Sequence, residues 1–111
     1  MSDDAALEVA RAKIEDYRNR IQSLDGNSRD LLFCEARNHN WWQDRDVSDD
    51  QLQEAFELAR MGPTSANTQP MRITFVRTKE AKERLNTHVN GPNQNKTMLA
   101  PVTAIVAYDN T

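Results

Sequence analysis

Near the start of the chain, Leu7, Ala10, Ile14, Tyr17, Ile21 and Leu24 recur at alternating spacings of three and four. That period lays one apolar stripe along a helix. Ser2 is placed to cap its start and Gly26 its end. With fewer than three heptads, the stripe reads as a packing seam or a short dimer contact rather than an independent coiled coil. A second helical stretch, from about Arg29 to Ala36, has Leu31, Leu32 and Phe33 as its apolar side and gives way to the polar and aromatic run ARNHNWWQDRDV.

Further along, Ser48-Asp49-Asp50-Gln51 is a capping-box signature, and Leu52, Ala55, Phe56 and Ala59 follow it at helical spacing. The pattern predicts a helix from Asp49 to about Met61. Gly62 suits a left-handed position after the last turn, and Pro63 has no N–H with which to continue. From Met71 to Thr78 the run MRITFVRT is rich in β-branched and aromatic residues and predicts a strand. Thr78 then caps a helix over Lys79 to Val89, supported by Glu80 and Arg84. Asn90-Gly91-Pro92-Asn93 is loop chemistry, Gln94 to Leu99 a short helical turn, and PVTAIVAYD a buried strand.

The predicted order is helix, helix, loop, helix, strand, helix, helical turn, strand, which is an α+β class. A stable sheet generally takes about three strands. Two strands therefore imply an incomplete sheet, so the chain reads as a helical extension, residues 1–26, followed by the front portion of a larger domain, residues 27–111.

Composition narrows the function. The 111 residues have room for one domain, and 38% apolar against 28% charged residues leaves a thin core and much polar surface. The net charge of −3 argues against a nucleic-acid module, which concentrates Lys and Arg on one face. The lone Cys34 forms no intrachain disulfide and has no His/Cys cluster for a metal, which fits a reducing cytoplasm and reads as a packed small side chain. MSDDAALEVA has acids where a signal peptide needs bases, and no apolar run approaches the ~20 residues of a membrane span. A soluble, cytoplasmic protein is expected.

Three segments carry candidate chemistry. Gly62 to Pro70, GPTSANTQP, sets Thr64, Ser65, Asn67, Thr68 and Gln69 between two prolines, either as a ligand-facing loop or as a connection whose side chains bond their own backbone. Arg37-Asn38-His39-Asn40 supplies a guanidinium, two amides and an imidazole, a set able to hold a phosphate, with Trp41 and Trp42 next. Here the alternative is a helix-terminating loop with one tryptophan anchored in the core. Asn93 and Lys96, three apart, aim an amide and an ammonium in one direction if a helical turn holds both. By contrast, Glu80, Glu83 and His88 lie on the charged, solvated side of a short helix and receive no role.

Together these segments resemble the FMN-dependent nitroreductase family. Pro63-Thr64-Ser65-Ala66-Asn67-Thr68-Gln69-Pro70 is similar to the family's Pro-Ser-Ser/Thr-x-Asn-x-Gln-Pro loop. ARNHNWW resembles the Arg-Thr-His-Asn-x-Trp segment of the branch containing malonic semialdehyde reductases, and APVTAIVAYD that branch's next strand. Asn38 stands where the branch has Thr, and Asn40 where the common family pattern has Lys or Arg.

The resemblance implies a nitroreductase-like fold of helices around a central, mainly antiparallel sheet, with the family's second half absent here. It implies that Arg37, Asn38, His39 and Asn40 lie near the FMN phosphate, and that Asn93 and Lys96 bond the polar edge of the isoalloxazine, where a cation favours the anionic reduced ring. Pro63, Thr64, Ser65 and Asn67 would pack on the flavin from the partner subunit of a homodimer. It also implies NAD(P)H as reductant, a small aldehyde, nitro or quinone acceptor, and no catalytic side chain. The alternative is a non-catalytic helical interaction module pairing through the Leu7 to Leu24 stripe.

Overall fold

Leu7, Ala10, Ile14 and Tyr17 of the apolar stripe lie on a helix, α1, over Asp3–Arg20, with Asp3 and Asp4 in its first turn and Arg18 and Arg20 in its last, while Ile21 and Leu24, expected to continue the stripe, follow its end. Both charge clusters complement the helix dipole. The structure, a computed structural model, describes residues 3–111, so the cap expected at Ser2 lies outside the described residues. Gly26 does not end this helix. It opens a second one, α2, Gly26–Arg29, whose N-cap Asp25 accepts the Ser28 N–H at 2.7 Å. The Asp25 carboxylate outcompetes any preference of the glycine for a helix end, because its Oδ1 satisfies a donor the new helix would otherwise leave free. The segment predicted as helix from Arg29 continues as a π-helical turn over Asp30–Cys34. Leu31, Leu32 and Phe33 are exposed there, and Cys34 is exposed too, which corrects its reading as a packed side chain.

The chain divides into two compact units, Met1–Asn38 and His39–Thr111. The second begins with α3, Asp49–Ala59, opened by the expected capping box: Ser48 Oγ accepts the Gln51 N–H at 3.2 Å, and Gln51 Oε1 accepts the Ser48 N–H at 3.0 Å. Leu52 and Phe56 are the residues of its apolar stripe that gain partial cover. The helix ends two residues earlier than expected, and Gly62 has no positive φ. Its N–H closes a turn onto the Ala59 carbonyl at 3.3 Å, so the exit needs no left-handed glycine.

Strand β1, Met71–Val76, pairs antiparallel with β2, Thr103–Tyr108, in a register running from Met71 opposite Tyr108 to Val76 opposite Thr103. Between them lie α4, Lys79–Asn86, capped by Thr78 Oγ1 on the Ala81 N–H at 3.2 Å, and α5, Gly91–Leu99. The expected loop Asn90-Gly91-Pro92-Asn93 is instead the start of α5. Pro92 sits in its first turn, where a missing N–H costs nothing. The expected Glu80–Arg84 support is not formed; Lys79 pairs with Glu83 at 3.8 Å instead.

β1 alternates as its sequence foretells, with Met71, Ile73 and Phe75 partly covered and Arg72 and Thr74 exposed. β2 does not match its expectation of burial. Only Thr103 is partly covered, while Val106 is 66% and Tyr108 75% exposed. The cover lies at the other end of the sheet, where Val76, Ala81, Leu85 and Ile105 surround one small cavity. Two arginine side chains fix the ends of β1. Arg77, just after it, donates to the Val47 carbonyl at 2.7 Å and to Asp49, tying the strand to the start of α3. Arg72 pairs with Asp109 at 3.0 Å, and the Asp109 N–H reaches the Pro70 carbonyl at 2.8 Å.

Two outcomes follow from these caps and pins. Ser48→Ala is expected to cost about 1 kcal/mol in urea unfolding, the typical loss of an N-cap. Asp109 is held below the usual carboxylate range, chiefly by the Thr111 hydroxyl and N–H, with Arg72 adding to them. Its contribution is therefore full above the unfolded value of about 3.9 and is lost as pH falls through the lower folded value. Accordingly, the urea midpoints of wild type and Asp109→Asn should differ at pH 7, and the difference should shrink as pH falls below about 3.9.

Candidate functional site

The loop from Gly62 to Pro70 is built by backbone strain as much as by side chains. Ser65–Asn67 form one 3₁₀ turn, and Ala66, Asn67 and Gln69 have φ of 48°, 53° and 46°. Three left-handed residues in four, none a glycine, cost on the order of 1 kcal/mol or more each and cluster where a structure over-determines them. Here Thr64 Oγ1 accepts the Gln69 N–H at 3.1 Å, Gln69 Nε2 donates to Asn67 Oδ1 at 3.2 Å, and the Thr64 and Ser65 carbonyls accept the Asn67 and Thr68 N–H groups. The loop's polar side chains thus partly bond their own backbone, as the plain reading of loop chemistry expects. Ser65 Oγ makes no hydrogen bond among the described residues and is exposed, with its hydroxyl available to a ligand.

One side of this loop borders a cavity of about 320 Å³ with Pro63, Thr64 and Gln69 on one wall and Phe56, Met71 and Arg72 among the others. Arg60 lies there too, but it pairs with Glu57 at 3.4 Å, and Arg72 is taken by Asp109 and by the Gln69 and Met71 carbonyls. Neither arginine brings an unmatched charge to the cavity.

Asn93 and Lys96 behave as their spacing predicts. Both lie on α5 and line one cavity of about 330 Å³, whose other walls include Trp42, Thr97, Ala100 and Val102. Gln94, between them, donates to the Asn86 and Val89 carbonyls at 3.3 and 3.1 Å and ties the start of α5 to the end of α4. The same Trp42 also borders a third cavity, about 370 Å³, together with His39, Trp41, Arg45, Asp46 and Gln51. Neither tryptophan is anchored in a core: Trp42 lines both cavities but is 47% exposed, and Trp41 is 85% exposed.

The four residues Arg37 to Asn40 straddle the boundary between the two units. Arg37 and Asn38 close the first unit, and the Arg37 guanidinium turns back on its own chain, donating to the Cys34 and Ala36 carbonyls at 3.2 and 2.8 Å. His39 lines the Trp41–Trp42 cavity, and Asn40 is exposed. Among the described residues, no cluster of three or more His, Cys, Asp or Glu side chains has metal-holding geometry, and no helix is long and apolar enough to cross a membrane.

A polar loop between a helix and a strand, an amide and an ammonium one helical turn apart, and a tryptophan lining two cavities all fall within one stretch of chain. The model of the nitroreductase family matches residues 37–106, well over half of the sequence. The chain belongs to the nitroreductase family. Its α+β elements and antiparallel strand pair agree with a nitroreductase-like domain. Members of this family are flavin oxidoreductases, and the match takes in the loop, the Trp42 wall and the Asn93–Lys96 pair together.

Sequence reasoning passed over Arg45 and Asp46 beside the tryptophans, and Arg72 beside the loop. Arg72 was legible in principle, since its place after Gln69-Pro70 on an alternating strand puts it on the exposed face. Arg45 and Asp46 follow no period, and only the folded path of the chain puts them at a cavity.

The strain in the loop can be measured. Ala→Gly at Ala55, inside α3, should cost roughly 0.5–1 kcal/mol through lost helix propensity. At Ala66 the same change relieves the left-handed backbone, so its unfolding midpoint should be unchanged or raised.

Proposed function

We propose that this nitroreductase-family chain is the flavin-contacting part of an FMN-dependent oxidoreductase, with NAD(P)H as reductant and a small acceptor, of the malonic semialdehyde, quinone or nitro class. The observation that carries the reading is the placement of Asn93 and Lys96 on one cavity wall with Trp42. The donor set fits a flavin. An amide supplies both donor and acceptor, and an ammonium supplies donors and a positive charge for the polar edge of an isoalloxazine ring. Trp42 offers a flat apolar wall beside them. When bound, FMN supplies two-electron hydride chemistry between reductant and acceptor.

The chain's own residues then bind and orient. Lys96 places its charge at the ring edge, Asn93 fixes the ring's direction, and Trp42 offers the ring an apolar neighbour. Pro63, Thr64, Ser65 and Asn67 are assigned to the flavin of a partner subunit in a homodimer. This agrees with the exposure of Ser65 and with the loop's position on a cavity separate from that of Asn93 and Lys96. The phosphate is assigned to the Arg37–Asn40 segment, for which Arg37 exchanges its two carbonyl partners for phosphate oxygens. A cytoplasmic location completes the reading.

A second reading rests on a different observation. Leu7, Ile14 and Tyr17 on α1, and Ile21 and Leu24 just beyond its end, are all exposed, an apolar surface that an interaction module would use. A compact monomer by light scattering, with one cooperative unfolding transition, would contradict that module.

Titration of the purified chain with FMN, followed by quenching of flavin fluorescence, tests the first reading. Saturable binding is expected, and Lys96→Met should weaken it roughly 10-fold or more, as the loss of a charged hydrogen bond does. Absence of binding at excess FMN would show that these 111 residues do not form the site.

A further inference from the structure

Among the described residues, Lys82 is the one charged side chain that is buried, at 7% exposure on α4. An ammonium in such a place is unfavourable unless it is hydrogen-bonded. Its Nζ donates to the carbonyl oxygen of Ala100. Ala100 is itself 4% exposed and forms the end of α5, where its N–H donates to the Lys96 carbonyl at 2.9 Å. Pro101 follows at once and has no N–H to carry the helix on. A cation here meets the negative end of the α5 dipole and one of the carbonyls that a helix end leaves without an internal partner.

Lys82 and Lys96 are thereby linked through one residue. The carbonyl held by Lys82 belongs to the residue whose N–H closes the last turn of α5 onto Lys96. Ala100, Thr97, Lys96 and Asn93 also line the same cavity. Movement of Ala100 therefore reshapes that cavity and shifts the turn from which the Lys96 side chain projects. One turn beyond Lys82 on α4, Asn86 keeps a buried Oδ1 without a hydrogen-bond partner.

We propose that Lys82 is a positioning residue: by holding the Ala100 carbonyl it fixes the last turn of α5, and with it the placement of Lys96 in the cavity. The pin stands on the geometry alone. Its consequence for flavin rests on the reading of α5 given above.

Lys82→Met keeps the aliphatic stem and removes the ammonium. In the ligand-free full chain, hydrogen exchange at amides 97–100 should quicken about tenfold, the size of one charged hydrogen bond, while residues 49–59 of α3 keep their protection. Lys82→Arg, which retains a cationic donor, should restore most of it. Unchanged exchange in α5, or equal loosening of α3 and α5, would overturn the pin. If Lys82→Met does not fold, Lys82→Gln, with an N–H donor on a shorter stem, serves for the same comparison.

The second arm is FMN binding. Lys82→Met should weaken it roughly tenfold, and that loss should shrink in a Lys96→Met background, because two residues acting through one path are not additive. A loss of equal size in both backgrounds would show that Lys82 does not act through Lys96. Wild-type chain that binds no FMN would count against the flavin reading alone, and the exchange measurement would still decide the pin.

Discussion

The antiparallel register of β1 on β2 is the constraint on which the second unit depends. Pairing Met71 with Tyr108 brings the exit of the Gly62–Pro70 loop beside Asp109, and pairing Val76 with Thr103 brings the exit of α5 beside the start of α4. A slip of one residue would turn Met71, Ile73 and Phe75 to the opposite face and exchange them with Arg72 and Thr74. It would also part Arg72 from Asp109 and move Ala100 relative to Lys82. Two strands provide few ladder bonds, and an isolated pair is marginal in water. The register must therefore be held from outside the ladder as well.

It is held by cations on carbonyls and carboxylates. Arg72, Arg77 and Lys82 each tie an element to a distant part of the chain: β1 to Asp109, β1 to Val47 and Asp49, and α4 to Ala100. In a chain with few buried apolar side chains, directional bonds of this kind determine where elements meet, while apolar contact contributes less than in a larger core. The two arginine pins are exposed, so each contributes little by itself. Lys82 differs because its burial makes its partner obligatory.

Much of the candidate site was legible beforehand. The Asn93–Lys96 spacing requires only a helical turn to bring both side chains to one wall, and α5 supplies it. The capping signals at Ser48 and Thr78 and the alternation of β1 are local chemistry and appear where expected. The Arg37–Asn40 cluster was less legible. Four polar residues in a row have no period, so where each of them lies depends on the path of the backbone, which puts His39 beside Trp41 and Trp42. The strained φ values at Ala66, Asn67 and Gln69 were also hidden, because none of these positions is a glycine that would announce a left-handed turn.

The sequence by itself determined the elements, the α+β class and the family resemblance, because caps, helical spacing and the Pro63–Pro70 loop are properties of neighbouring residues. Tertiary structure decided the rest. It made Gly26 a beginning rather than an end, left β2 mostly exposed, and buried Lys82 at the end of α5. Those outcomes depend on which distant groups meet, and a lysine in an amphipathic helix carries no local sign that a carbonyl eighteen residues on will be its partner.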